Sequence, residues 1–296
     1  MCDEFTESDK RKFEISGPKL SRREFGKLSV AAIVSLCYGE LAQAGGPHEE
    51  QLIESDVAVP MTHGTSDSFF VHPAKGKHPG ILMWPDIRGL RPAFKAMGRR
   101  LASQGYSVLV VNPFYRDAKA PVIDPAKQFS DPGVREFLLP MYRNLDHEAS
   151  MSDARDYIAF IDQQTNVDTS RKVGTAGYCM GGPLIMRTAG AVPERVGAAA
   201  SFHGGGMVTD KEDSPHLLIP NSPAHVLHAL AENDDERNPH VKHELAAAYK
   251  AAGVPAEIEV YKALHGWCPP DSDVYDEELA EKAWARMLAL FETALA

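Results

Sequence analysis

The chain is short of cysteine, has no excess of basic charge and contains no long apolar run, and each shortage narrows what it can be. Four cysteines are present, at 2, 37, 179 and 268. A zinc site drawn from Cys179, Cys268 and His265 would lack a fourth ligand at sensible spacing. His63, His72 and His78 also fit no metal spacing and read as solvated surface. Lys and Arg number 31 against 41 Asp and Glu, a net charge of −10 that argues against nucleic acid as a partner. The apolar stretch Leu28–Leu41 is broken by Tyr38, Gly39 and Glu40, so it is too short for a transmembrane helix. What remains is ordinary globular composition, 44% apolar and 24% charged, with material for a full core.

Residues 1–44 read as an address and not as structure. Arg22-Arg23-Glu24-Phe25 matches the twin-arginine export pattern, Leu28–Leu41 supplies the mildly apolar core, and Ala42-Gln43-Ala44 is an A-x-A cleavage site. Export places the mature protein in the periplasm or outside the cell, starting near Gly45, with the export machinery as the partner of the signal and no membrane partner for the mature form. Cleavage removes Cys2 and Cys37. The two cysteines left, Cys179 and Cys268, could be a disulfide or two shielded thiols, since twin-arginine cargo crosses already folded.

Residues 45–51 form a polar linker, and 52–296 show no internal repeat or further linker. Two strands around His63-Gly64-Thr65 predict an antiparallel edge hairpin. The continuous apolar run at 79–85 reads as a strand covered on both faces, 106–111 as the next buried strand, 171–176 as a short buried strand and 196–202 as another. Further strands follow at 224–230 and 257–263. Helices are expected at 92–103, 148–164, 240–252 and 276–295, with a long Pro-punctuated loop at 117–146 of the kind that forms a lid. Alternating strands and helices predict one α/β domain with a mostly parallel central sheet, helices on both faces and right-handed connections.

Gly177-Tyr178-Cys179-Met180-Gly181-Gly182 lies between a predicted strand and a predicted helix. Small residues flanking a central nucleophile at such a junction form a nucleophile elbow, too sharp for bulky neighbours. Here the central residue is a thiol, and a helix N-terminus favours its thiolate. A buried cysteine in a Gly-rich turn is the plain alternative. In open parallel sheets the site lies past the carboxyl ends of the strands. Four strand ends deliver Asp86, Cys179, Asp234 or Asp235, and His265 there. The order nucleophile, acid, histidine is that of α/β-hydrolases. His265 would act as base and then acid, and an acid would hold its tautomer. Asp234 is preferred over Asp235 as that acid. The backbone N–H groups of Ile87 and Met180 are the expected oxyanion donors. His203-Gly204-Gly205-Gly206 follows the wrong strand for that role and reads as a glycine turn at the rim.

These residues, with Asp86-Ile87-Arg88-Gly89 before and His265-Gly266-Trp267 after, resemble the dienelactone hydrolase family from about Val57 to the C-terminus. The resemblance implies an α/β-hydrolase fold and cleavage of an enol-lactone or related small ester through Cys179, His265 and an Asp, without metal or organic cofactor. It also implies that an acid in the first loop, usually Glu, receives the thiol proton. Asp86 stands at that position, shorter by one methylene, and a turn-capping role is the alternative. Pro269 stands where the family's dienelactone enzymes carry a carboxylate-gripping Arg. Arg88, Tyr115 and Arg116 are the candidates to bind an anionic or phenolic group instead, each with a structural role as the favoured alternative, and Tyr178 and Trp267 are further substrate-side residues. Two other classes fit the same sequence: a thiol-redox or sensing protein using Cys179 and Cys268, and an idle hydrolase fold that only binds.

Overall fold

Side chains that alternate along each buried strand divide the core into two apolar layers, one on each face of a single sheet. In the computed structural model, which describes residues 51–296, the eight strands are β1 (Leu52–Met61), β2 (Gly64–Pro73), β3 (Gly80–Trp84), β4 (Ser107–Val110), β5 (Val173–Tyr178), β6 (Val196–Phe202), β7 (His225–Ala231) and β8 (Ala256–Tyr261). Their order across the sheet is β1-β2-β4-β3-β5-β6-β7-β8. β1 pairs antiparallel with β2 and β2 antiparallel with β4, and every later pairing is parallel. The expected edge hairpin is therefore present, ten residues on each side. Its outer strand carries Glu54 and Asp56, which pair with Arg99 and Lys95 and discourage edge-to-edge association.

One layer joins Ile81, Met83, Ala176, Tyr178, Ala200 and Phe202 to the helices α1 (Pro92–Ala102) and α7 (Glu277–Ala294). The other joins Leu82, Trp84, Val173, Ala199 and Val226 to α3 (His147–Asp162), α4 (Gly181–Ala191) and α6 (His240–Ala252). Consecutive residues of one strand thus serve opposite layers, which is what a doubly covered parallel sheet requires. Asp146 caps α3 by accepting from the Ala149 N–H, and Asp276 caps α7 in the same way on Leu279.

The segment 117–146 departs from expectation. Residues 134–144 are helical and form α2 (Val134–Asn144), with Pro140 inside the helix. That proline, which removes a hydrogen bond and reads as a breaker, hid the helix in the sequence. A short helix α5 (Glu232–Arg237) begins as soon as β7 ends, where a loop was expected, and a 3-10 turn covers Pro215–Asn221. The export signal and most of the linker lie outside the described residues. Among the described residues no helix is long and apolar enough to cross a membrane.

His228, on β7, is fully buried and shares a 2.9 Å hydrogen bond through Nε2 with the Tyr249 hydroxyl on α6. Burial pushes its pKa down to about 4, against about 6.5 in an unfolded chain. Below about 6.5 the unfolded chain takes up the proton and the folded one resists it, so stability falls as pH drops toward 4. The shift corresponds to about 3 kcal/mol by pH 4. Urea unfolding at pH 7 and pH 4 should show His228→Gln losing about 3 kcal/mol less than wild type over that interval. Equal losses would remove His228 as the source.

Candidate active site

The bend after β5 places Cys179 at φ +56, a left-handed conformation that a non-glycine residue adopts only where the surroundings hold it. Two close approaches do the holding. A Cβ at Gly177 would stand 2.2 Å from the Gly181 carbonyl oxygen, and one at Gly182 would stand 2.6 Å from the Gly204 Cα. Neither position can carry a side chain. The Cys179 N–H donates to the Phe202 carbonyl at 3.0 Å, and its carbonyl accepts from the Gly182 N–H at 3.1 Å. The thiol sits directly before α4, whose first N–H groups favour a thiolate. Among the described residues, no hydrogen bond to another group occupies the backbone N–H of Met180 or of Ile87, so both are available to an oxyanion.

His265 follows β8 and its bend. Its Nδ1 lies 2.5 Å from Asp234 Oδ2, and its backbone N–H donates to Asn233 Oδ1 at 2.9 Å. The first turn of α5 thus grips both ring and backbone of the histidine. Asp234 also receives Arg237 at 3.2 Å. Asp235 points elsewhere, to Lys242 at 2.6 Å, so of the two acids it is Asp234 that meets the His265 ring. The loop after β6 joins the two halves of the site. The Phe202 carbonyl at the end of β6 holds the Cys179 N–H, the Gly205 N–H of the loop reaches the Cys179 carbonyl at 3.4 Å, and the His203 ring meets the His265 ring edge-to-face at 5.1 Å. Burial, with His265 close by, keeps His203 well below its usual pKa and therefore neutral. It is a packing partner that sequence reading had left as part of a rim turn.

The sequence-nominated substrate residues are placed differently. Tyr178 belongs to the α1 and α7 layer because it precedes Cys179 on a strand, where alternate side chains face opposite ways. It stacks on Phe202 at 4.8 Å and meets Phe94 edge-to-face at 5.3 Å. Trp267 is fully buried, stacked on Tyr261 at 5.3 Å and set against His203 at 5.2 Å, so it supports the histidine loop from beneath. The Tyr115 hydroxyl donates to Asp153 at 2.8 Å, and Arg116 donates to both oxygens of the same buried carboxylate. These three contacts fasten the start of the lid segment to α3. Burial works against ionising Asp153, and Arg116 and Tyr115 offset only part of that cost, so its pKa stays above the usual carboxylate range.

Asp86 is held in an ion pair. Arg91 donates to its Oδ1 at 2.6 Å and its Oδ2 at 2.8 Å, and the Arg88 N–H donates to Oδ1 at 2.9 Å. The turn-capping alternative describes this geometry better than that of a base awaiting a thiol proton, because both oxygens already accept charge-assisted bonds. Arg91 reaches on to Asp271 through Nε at 2.7 Å and Nη2 at 2.9 Å. Arg88 donates to the carbonyls of Asp271 at 3.3 Å and Pro125 at 2.8 Å, and Gln128 Nε2 reaches the Asp271 carbonyl at 3.0 Å. One buried cluster thereby ties the Ile87 loop, the lid and the loop after His265. Burial opposes the Arg91 charge, and Asp86 and Asp271 more than offset it, holding its pKa above the usual value. Arg91, Asp271 and Asn233 escaped the sequence reading. The Asn233-Asp234 pair at a strand end was a usable signal, whereas Asp271 has no local one.

Cys179 and Cys268 are thiols and not a disulfide, and they sit in different apolar clusters. Burial pushes the Cys268 thiol well above its usual pKa, which makes it a poor nucleophile and a poor exchange partner. Among the described residues no group of three or more His, Cys, Asp or Glu side chains is arranged to hold a metal ion.

The profile of the dienelactone hydrolase family matches residues 66–295. The chain belongs to the dienelactone hydrolase family. It is 29% identical over 140 residues to a carboxymethylenebutenolidase of Rhodococcus opacus, which covers 47% of this chain and 47% of that protein. The match therefore spans about half the length of that curated relative. A carboxymethylenebutenolidase of a Pseudomonas species is 24% identical over 220 residues, 74% of this chain and 87% of the other. Among solved structures, the dienelactone hydrolase-like promiscuous phosphotriesterase P91 from metagenomic libraries superposes with a TM-score of 0.68 at 20% identity, over 83% of this chain and 99% of that one. The superposition establishes the shared fold. The Cys179 elbow and the His265 loop both lie inside the matched family region.

For this dienelactone hydrolase family protein, the Arg91 cluster yields a stability prediction. Arg91→Leu would leave two acids without their shared cation and should cost about 3–5 kcal/mol in urea unfolding. Arg91→Lys, a point charge lacking the planar fork, should recover only part of that. An unchanged midpoint in Arg91→Leu would show that the cluster contributes nothing.

Proposed function

We propose that the protein hydrolyses a small carboxylic ester or lactone through Cys179, His265 and Asp234, with a thioester acyl-enzyme between the two half-reactions. His265 accepts the thiol proton at Nε2 while Asp234 fixes the Nδ1 tautomer and steadies the imidazolium. The sulfur then adds to the ester carbonyl. The developing oxyanion takes the N–H groups of Ile87 and Met180, which point at charge that exists only along the reaction path. Collapse expels the alkoxide, which receives the proton from His265. Water activated by the same imidazole then cleaves the thioester and restores the thiol.

One observation carries the reading. The residue lifted by the elbow at φ +56 is a thiol, and the loop that holds its backbone packs on a histidine whose Nδ1 lies 2.5 Å from a carboxylate. Membership of the dienelactone hydrolase family and the carboxymethylenebutenolidase names of its relatives point the same way. The thiol-sensing alternative needs a second reactive cysteine, and the burial of Cys268 speaks against it. We further propose export through the twin-arginine signal around Arg22 and Arg23. N-terminal sequencing of the processed protein should then begin near Gly45, and recovery of an intact N-terminus from an export-competent host would refute it.

With p-nitrophenyl acetate, Cys179→Ala and His265→Ala should each lower kcat/KM by about a thousandfold or more. Acid quenching during turnover should leave an acyl mass on the peptide containing Cys179. Turnover unchanged in both variants, or an adduct on another residue, would end the proposal.

A further inference from the structure

Cys179 and Met180 share an apolar cluster with Ile87, Phe114, Val122, Val134, Leu138 and Met141. Two of these residues, Ile87 and Met180, are the ones whose N–H groups would hold the oxyanion, so the acyl carbons next to that carbonyl must lie among the same side chains. Val134, Leu138 and Met141 come from α2 at spacings of four and three, which places them on one face of that helix. The helix contributes that face to the same cluster as the thiol.

Four arginines near the cluster already face a carboxylate. Arg91 is shared by Asp86 and Asp271, and Arg88 lies 3.3 Å from Asp271 and donates to two carbonyls. Arg116 is held by Asp153 and Arg237 by Asp234. Arg187, whose buried Nε has no hydrogen-bond partner, is set apart by distance: it lies eight residues along from Cys179, about 12 Å at helical rise, and reaches Ser150. Arg88 keeps one buried donor, Nε, without a partner. Its charge nonetheless already faces Asp271, so a substrate carboxylate there would compete with a built-in one. A carboxylate placed among Leu138, Met141 and Val134 would exchange its water for hydrocarbon.

We infer that the acyl group this protein accepts is uncharged and apolar, seated against the Val134, Leu138 and Met141 face of α2, and not a carboxylate-bearing one. The inference rests on the thioester reading above and narrows its substrate class. The test compares two rigid esters with one leaving group, p-nitrophenyl crotonate and p-nitrophenyl hydrogen fumarate, which differ by a methyl against a trans carboxylate that cannot reach its own ester. The crotonate should be preferred by about tenfold or more in kcat/KM, after subtraction of background hydrolysis. Leu138→Arg should move that ratio toward the fumarate by about tenfold. Leu138→Ala, which removes hydrocarbon without adding charge, should slow the crotonate several-fold and leave the fumarate rate nearly unchanged. Turnover that depends on Cys179 yet prefers the fumarate, with the preference lost in Arg88→Gln, would overturn this inference alone. Turnover equal in wild type and Cys179→Ala would remove the thioester reading and this inference with it.

Discussion

Everything at the site depends on two backbones coming closer than any side chain would allow. Gly177 lies against the Gly181 carbonyl and Gly182 against Gly204, and only that contact lets β5 turn into α4 within two residues. The left-handed backbone of Cys179 is the local cost, of order 1–3 kcal/mol for a residue held outside its preferred regions. In return the sulfur stands at the N-terminal mouth of a helix. The same contact brings the loop after β6 against the elbow, and through His203 that loop touches the imidazole delivered by β8. Three strand ends are therefore registered by one close approach.

Around that point charge and hydrocarbon are kept apart. The buried arginines and acids form closed sets: Asp86 with Arg91 and Asp271, and Asp153 with Arg116 and Tyr115. Their work is mechanical, fastening the Ile87 loop, the lid and the histidine loop to one another and to α3. A buried ion pair of this kind adds modest net stability, but removing one member leaves the other stranded at low dielectric. The lid helix meanwhile contributes only its apolar face to the thiol. A basic residue near a predicted site is thus not a ligand-binding residue until its own partner is known. Arg88 and Arg116 stayed candidates for anion binding alongside a structural role in the sequence because their acids, Asp271 and Asp153, lie 183 and 37 residues away.

How much could be read in advance varied with the range of the interaction. The hairpin, the parallel strands and the helices at 92–102 and 277–294 follow from local periodicity, and they stand within a residue or two of expectation. The lid helix was missed because Pro140 breaks the local signal while Val134, Leu138 and Met141 are stabilised by contacts with residues distant in sequence. Tyr178 and Trp267 were misassigned through adjacency to site residues. Tyr178 ends a strand and faces the layer opposite its neighbours, while Trp267, in the loop after β8, packs beneath that loop against His203 and Tyr261.

The sequence alone determined the fold class, the elbow and the family, because each is written in short-range patterns: alternating apolar runs, small residues around a thiol, and His-Gly after a final strand. Only the tertiary structure showed that Asp234 meets His265 while Asp235 meets Lys242, that Asp86 is held by Arg91, and which acids the buried arginines face. Those choices turn on where a carboxylate points and what neutralises it. Both are set by segments brought together only when the sheet closes its layers.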